Sequence, residues 1–253
     1  MSDLNVSIDQ GICQIEIARL ANRNALDAKS CATFVEILAQ AQKDDDVHCV
    51  VIRGQDAIFC AGADLKETLE RTDVTESAYD ALIEALIAFD KPILAAVEGP
   101  CLGLGVAILS YCDMAYCSEK TLFSMPFTAL GLTPEFGLSQ IAMSKAGYQK
   151  AAEKLLLSEP ISAIEASEMG IITGICKPGE VVKETLNRAA RLTQMPLGSL
   201  RATKKLLRRH LAQQIRSTLT MEKEQTLLRL QANETKEAIA AFQEGRKPDF
   251  SRC

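Results

Sequence analysis

The sequence predicts an α/β protein that ends in helices, and three observations carry this. Two nearly continuous apolar runs, 47–52 and 93–97, read as strands covered on both faces. Segments with helical apolar spacing lie between and beyond them, so strand and helix signals alternate. From about Glu180 the strand signals vanish, and the chain reads as helix to its end with a break near Met195-Pro196. A length of 253 residues suits one large domain or a core with a helical appendage. The division expected is a core over 1–195 and a helical region over 196–253.

Each element has its own signal. Leu4, Val6 and Ile8 alternate with polar residues, as do Cys13, Ile15 and Ile17. With Asp9-Gln10-Gly11 between them, they predict an opening hairpin. A helix is expected from about Asp27, whose carboxylate can cap it, to about Lys43. Residues 77–90 form an amphipathic helix stopped by Lys91-Pro92. The second buried strand leads into an apolar helix over 105–111. Short strands are expected at 114–117, 122–124 and 171–176. The stretch from about 211 to 243 is long, charged and sparsely apolar. Such a helix needs a partner surface, either the body of the protein or another subunit.

Composition narrows the function classes. The net charge of −5 gives no electrostatic reason to expect nucleic-acid binding. The one basic cluster, over 201–210, has helical spacing and reads as a solvated helix face or a rim for an anionic ligand. Nine scattered cysteines without a Cys-x-x-Cys pair suggest reduced, mostly buried thiols and a cytoplasmic location. Only His48 and His210 are present, without metal-ligand spacing, so no metal site is expected. No apolar run reaches the length of a membrane span. Met1-Ser2-Asp3-Leu4 has no targeting pattern, and Ser251-Arg252-Cys253 is not the Ser-Lys-Leu address.

Three stretches carry chemistry. In Pro126-Phe127-Thr128-Ala129-Leu130-Gly131-Leu132-Thr133-Pro134-Glu135-Phe136-Gly137, one carboxylate sits among apolar residues and turn formers. Burial would raise its pKa toward neutrality, as a general base needs. The plainer alternative is a loop acid that reaches water. In Phe59-Cys60-Ala61-Gly62-Ala63-Asp64-Leu65-Lys66-Glu67, small residues let a ligand approach the backbone. Asp64 and Glu67 there form a capping-box pattern. In Val97-Glu98-Gly99-Pro100-Cys101-Leu102-Gly103-Leu104-Gly105, glycines free backbone N–H groups at a helix start. Both stretches also read as plain glycine turns that allow close packing. Glu98 reads as a solvent-facing turn residue.

Taken together, these stretches resemble the crotonase family, the enoyl-CoA hydratase/isomerase superfamily, over nearly the whole chain. Arg23-Asn24-Ala25-Leu26 resembles its early CoA-site element, and Phe59 to Leu65 its Ala-Gly-x-Asp-Leu signature. Gly99 to Gly105 with Cys112-Asp113 resembles its second glycine segment, and Phe242-Gln243-Glu244-Gly245-Arg246-Lys247-Pro248-Asp249-Phe250 its end. The resemblance implies a crotonase-like spiral of ββα units with a C-terminal helical trimerisation region. It also implies a homotrimer or dimer of trimers, and an acyl-CoA thioester as substrate. No cofactor is implied, because CoA belongs to the substrate.

The backbone N–H groups of Ala63 and Leu104 would form an oxyanion hole for the thioester oxygen. Many relatives carry Gly where Leu104 stands, and Leu narrows the site. The substrate-binding set implied is Arg23, Ala25, Ala61, Asp64 and Leu65, with Leu102, Phe127, Leu130 and Phe136 excluding water. Lys66 and Arg246-Lys247 are candidates for the CoA phosphates or ordinary surface charge. Enoyl-CoA hydratases use two glutamates. Ala107 stands at the place of the first, and Phe127 follows Pro126 at the place of the second. An acid appears instead after Pro134, a placement similar to the Δ3-Δ2-enoyl-CoA isomerases. The expected activity is therefore isomerisation of a 3-enoyl-CoA with Glu135 as the single acid/base. The alternatives are ring-ene isomerisation, thioester hydrolysis, weak hydration, or acyl-CoA binding without catalysis.

Overall fold

Strands β1 (Leu4–Asp9) and β2 (Ile12–Ile17) pair antiparallel, as the alternation predicts. Gln10 and Gly11, with φ of 48° and 80°, make the two-residue turn. Positive φ at both positions matches the right-handed twist of a hairpin. The computed structural model describes residues 3–253. Met1 and Ser2, part of the terminus read above for a targeting signal, and the side chain of Arg252 in the tail motif lie outside it.

From β2 the sheet grows by parallel pairing. β3 (Cys49–Gly54), β4 (Ile93–Val97), β6 (Met114–Ser118) and β9 (Gly174–Cys176) follow in that spatial order. A parallel sheet needs crossover helices and is covered by them. Helices α1 (Ala28–Lys43) and α3 (Asp73–Ala88) supply the main cover on one face. Val50, Ile52, Ile93, Ala95 and Val97 pack there with Phe34, Leu38, Leu82 and Leu86. On the other face Cys49, Val51 and Leu94 meet Ala189 of α8 (Val181–Leu192). The continuous apolar runs are thus strands whose two sides face different helices.

Caps set the helix limits. Asp27 accepts from Ser30 N at 2.8 Å and starts α1 where the sequence placed it. Helix α3 begins at Asp73, four residues before the expected start. Thr72 and Thr75 cap it reciprocally, using a hydroxyl where Glu or Gln is the familiar signal. Short α2 (Leu65–Leu69) is capped by Asp64 through Lys66 N at 3.1 Å. The capping box expected there does not close. Glu67 turns away and accepts from Ala28 N at 2.7 Å, which ties α2 to α1.

A second, three-stranded sheet joins β5 (Cys101–Leu102), β7 (Leu122–Ser124) and β8 (Ile161–Ser162). The apolar helix α4 (Leu104–Ser110) follows β5. Helices α5 (Leu138–Ala146), α6 (Tyr148–Leu157) and α7 (Ala163–Glu168) fill a region for which no element was expected. Their short, partly polar turns give little periodicity to read.

The helical end is two helices, α9 (Leu197–Leu230) and α10 (Asn233–Glu244), so the stretch over 211–243 is broken at Gln231-Ala232. Among the described residues no helix is long and apolar enough to cross a membrane. The basic cluster is a solvated face only in part. Arg201, Lys204 and Arg208 turn inward, while Lys205 and Arg209 stay exposed. Lys204 is buried, donates to Lys91 O at 2.6 Å and pairs with Asp113 at 2.8 Å. Burial pulls its pKa down to about 8 against the attraction of Asp113. Arg208 donates to Tyr111 O and Leu86 O, and Arg201 pairs with Asp90. The charges dock α9 on carboxylates and carbonyls of the body. Lys204→Met should therefore cost about 1–3 kcal/mol, because Lys91 O loses its donor in a buried place. Urea unfolding at neutral pH measures it.

Candidate active site

The strands β3 and β4 are neighbours, and the chain leaving each stays beside the other beyond the sheet. Phe59 N and Cys60 N both donate to Pro100 O, at 3.1 and 3.3 Å, and Leu102 N donates to Cys60 O at 2.9 Å. A parallel bridge pairs Cys60 with Cys101. Glycine makes the approach possible. A Cβ on Gly105 would lie 2.8 Å from Cys60 O, and one on Gly62, where φ is +106°, would lie 3.2 Å from Leu102 O. The same Gly62 position is 3.7 Å from Leu104 N. The turn carrying Ala63 and the turn carrying Leu104 are thus in van der Waals contact.

A third segment braces them. Leu26 N donates to Gly62 O and Asp64 N to Leu26 O, which leaves Ala63 N between two bonded amides. Leu104 N opens α4, where no preceding turn supplies an acceptor. Among the described residues neither N–H has a protein partner. Arg23 is exposed, but its carbonyl accepts from Ala61 N at 3.2 Å. Ala25 is buried. Asn24, fully buried at φ 58°, donates to Gln55 O and Ile58 O at 3.2 and 2.7 Å. Asp64 is held by its cap and by Arg19 at 2.8 Å, which also pairs with Asp27. Leu65, Ala61 and Leu102 are half-buried.

Glu135 lies in the turn before α5 and is 5% exposed, so it does not reach into open water. Phe127 and Phe136 are buried near it in sequence, and Leu130 is half-buried. The carboxylate is not alone, as its apolar flanks suggested. Arg71, from the turn between α2 and α3, places Nη2 at 2.7 Å from Oε1. Burial raises the Glu135 pKa above the ordinary Glu value. Arg71 opposes that shift, while Glu76 and Asp80 add to it. The turn itself is clamped from α9. Glu222 accepts from Gly137 N at 2.7 Å and Ser139 N at 2.9 Å, and Thr226 meets Thr133 hydroxyl to hydroxyl at 2.9 Å.

Two tyrosines join the glycine turns to the acid. Tyr79 donates to Leu26 O at 3.3 Å, beside Ala63, and its ring meets the Phe136 ring edge-on at 6.1 Å. Tyr111, just past α4, donates to Phe136 O at 2.7 Å. Glu98 is half-buried and accepts from Gly179 N at 2.8 Å, a structural tie. Lys66 and Lys247 are exposed, and Arg246 pairs with Glu237 and Glu244. Sequence reasoning missed Arg71 and Glu222. Neither carries a local signal, since each looks like a surface charge until the fold turns it inward.

A family model described as enoyl-CoA hydratase/isomerase matches residues 7–252. A 2,3-dehydroadipyl-CoA hydratase from Escherichia coli (strain K12) is 31% identical over 253 residues, covering 99% of each chain. A 4-chlorobenzoyl coenzyme A dehalogenase-2 from Arthrobacter sp is 28% identical over 205 residues, 77% of this chain and 74% of its own. The crystal structure of an enoyl-CoA hydratase/isomerase from Pseudoalteromonas atlantica T6c superposes with a TM-score of 0.93 at 28% identity. It covers 99% of this chain and 100% of that one.

The contact between the two turns gives a stability expectation. Gly105→Ala would push a methyl group onto Cys60 O and should cost about 1–3 kcal/mol. A midpoint in urea equal to that of the parent would mean that the turns are not in contact as described.

Proposed function

The chain belongs to the enoyl-CoA hydratase/isomerase family, and we propose that it converts a 3-enoyl-CoA to the conjugated 2-trans-enoyl-CoA. The observation that carries this reading is a buried acid, Glu135, with apolar residues where hydration would need carboxylates. Leu104, Val106, Ala107, Ile108 and Leu109 are all buried apolar residues of α4, and buried Phe127 follows Pro126. Glu222, the other buried acid nearby, is spent on the amides of Gly137 and Ser139.

Hydration needs one group to activate water and another to protonate C2. Isomerisation needs one base that takes a proton from C2 and returns it to C4. Loss of the C2 proton would put negative charge on the thioester oxygen. The N–H groups of Ala63 and Leu104 would meet that charge with dipoles already in place. The dienolate then takes the proton at C4, the double bond moves into conjugation, and Glu135 returns to its carboxylate. The raised pKa of Glu135 suits it to hold the proton between the two steps. Phe127 and Phe136, both buried, would help to keep water from competing for the intermediate.

The same reading assigns the protein a cytoplasmic location and a homotrimer or dimer of trimers. Exposed Leu156, Leu157 and Ile164, at 67%, 63% and 67%, suit burial against another copy. Light scattering on the purified chain gives the mass.

Glu135→Gln should keep the fold and acyl-CoA binding while losing roughly two to four decades of rate. The assay follows conjugation of the thioester by absorbance, with the product checked by chromatography. A 3-hydroxyacyl product, or near-normal turnover by the variant, would defeat the proposal. Because the working form is the carboxylate, the parent rate should fall as pH drops through a midpoint above the ordinary Glu value.

A further inference from the structure

We propose that Arg71 is a positioning residue for Glu135, holding the buried carboxylate ionised and oriented in the resting enzyme. The inference rests on Glu135 being the base of the reaction proposed above, and goes beyond it in naming what makes that base usable. A carboxylate removed from water is driven toward its neutral form, and a neutral acid cannot begin by taking a proton. Something in the protein has to oppose that drift. Arg71 does so at 2.7 Å, with a side chain that is itself only 10% exposed.

Among the described residues around Glu135, Arg71 is the cation placed to do this. Glu76 and Asp80 from α3 and Glu222 from α9 all bear on the site, and each is an acid. The other cation nearby, Lys223 of α9, is engaged with Glu76 at 3.2 Å and Asp80 at 2.9 Å. The charges therefore alternate from the interior outward: Glu135, Arg71, Glu76, Lys223, Asp80. Glu76 Oε1 stands 4.0 Å from Arg71 Nε, which is buried without a hydrogen bond, while the same oxygen is 3.2 Å from Lys223 Nζ. Glu76 thus attracts Arg71 without locking it, which leaves Glu135 as its closest partner.

Arg71 is not needed to build its own turn. Thr72 and Thr75 cap α3, Asp64 caps α2, and Glu67 ties α2 to α1.

The test compares the parent with Arg71→Met, Arg71→Lys and Glu135→Gln, each confirmed folded by thermal unfolding. Two readouts are taken across pH: isomerisation of a 3-enoyl-CoA, and exchange of the C2 proton of butyryl-CoA in heavy water. Removing one close opposite charge shifts a carboxyl pKa by about 1–3 units. On the acid side of the parent midpoint, Arg71→Met should therefore lose about tenfold to a thousandfold in kcat with little change in KM. Its acid limb should move to higher pH, so that activity recovers in alkaline buffer. Arg71→Lys, which keeps the charge, should stay near the parent limb. A limb that does not move, or a loss equal at every pH, would overturn the inference. Should Arg71→Met not fold, Arg71→Gln makes the same comparison. If Glu135→Gln retains both activities, the proposed function itself fails. If only the Arg71 variants match the parent, the function stands and this inference falls.

Discussion

Residues 60–63 and 102–105 run against each other at backbone distance, and most of the site depends on that approach. The pairing of β3 with β4 brings the two segments together, and the glycines at 62 and 105 let them touch. Side chains larger than hydrogen at those points would separate the turns, and with them the two N–H groups that have no protein partner. Stability and chemistry share a cause here. The hydrogen bonds that satisfy Cys60, Leu102 and Leu26 leave Ala63 N and Leu104 N unspent.

Charge is handled in the opposite way, by pairing nearly everything that is buried. Lys91 reaches the carbonyls of Ala41 and Asp44, Lys204 reaches Lys91 O and Asp113, and Glu222 takes the amides of α5. These partners are fixed, mostly main-chain groups, which suits anchors. Glu135 differs in that its close partner is the side chain of Arg71, carried on a turn. A side-chain partner can oppose burial and still leave the carboxylate able to change its protonation state.

Much of the fold was legible because it follows from local pattern. The runs at 49–52 and 93–97 are apolar on both faces because helices cover both, and the hairpin turn is written in Gln10-Gly11. Asp27 announces α1 by its chemistry. Where hydroxyls replace the usual acid, as at Thr72 and Thr75, the helix start was read too late. The region over 138–168 went unread because its elements are short. At the site, the glycine turns and Glu135 carry signals in their neighbours. Arg71 and Glu222 do not. Their sequence neighbours are polar, and only long-range folding shows that these two charges point inward. The same blindness made the cluster over 201–210 look solvated, when half of it is the docking face of α9.

Helix α9 reaches from the sheet to the acid-bearing turn as one rod of 34 residues. Lys204 grips Asp113 near its start and Glu222 grips α5 near its end, with Ile215 buried between. Eighteen positions separate the two grips, which is about five full turns at 3.6 residues per turn, so both point the same way. The register of this helix is therefore a length constraint on the gene. The number of residues between the grips is fixed, since one inserted residue rotates everything beyond it by about 100° and carries Glu222 off the turn it holds.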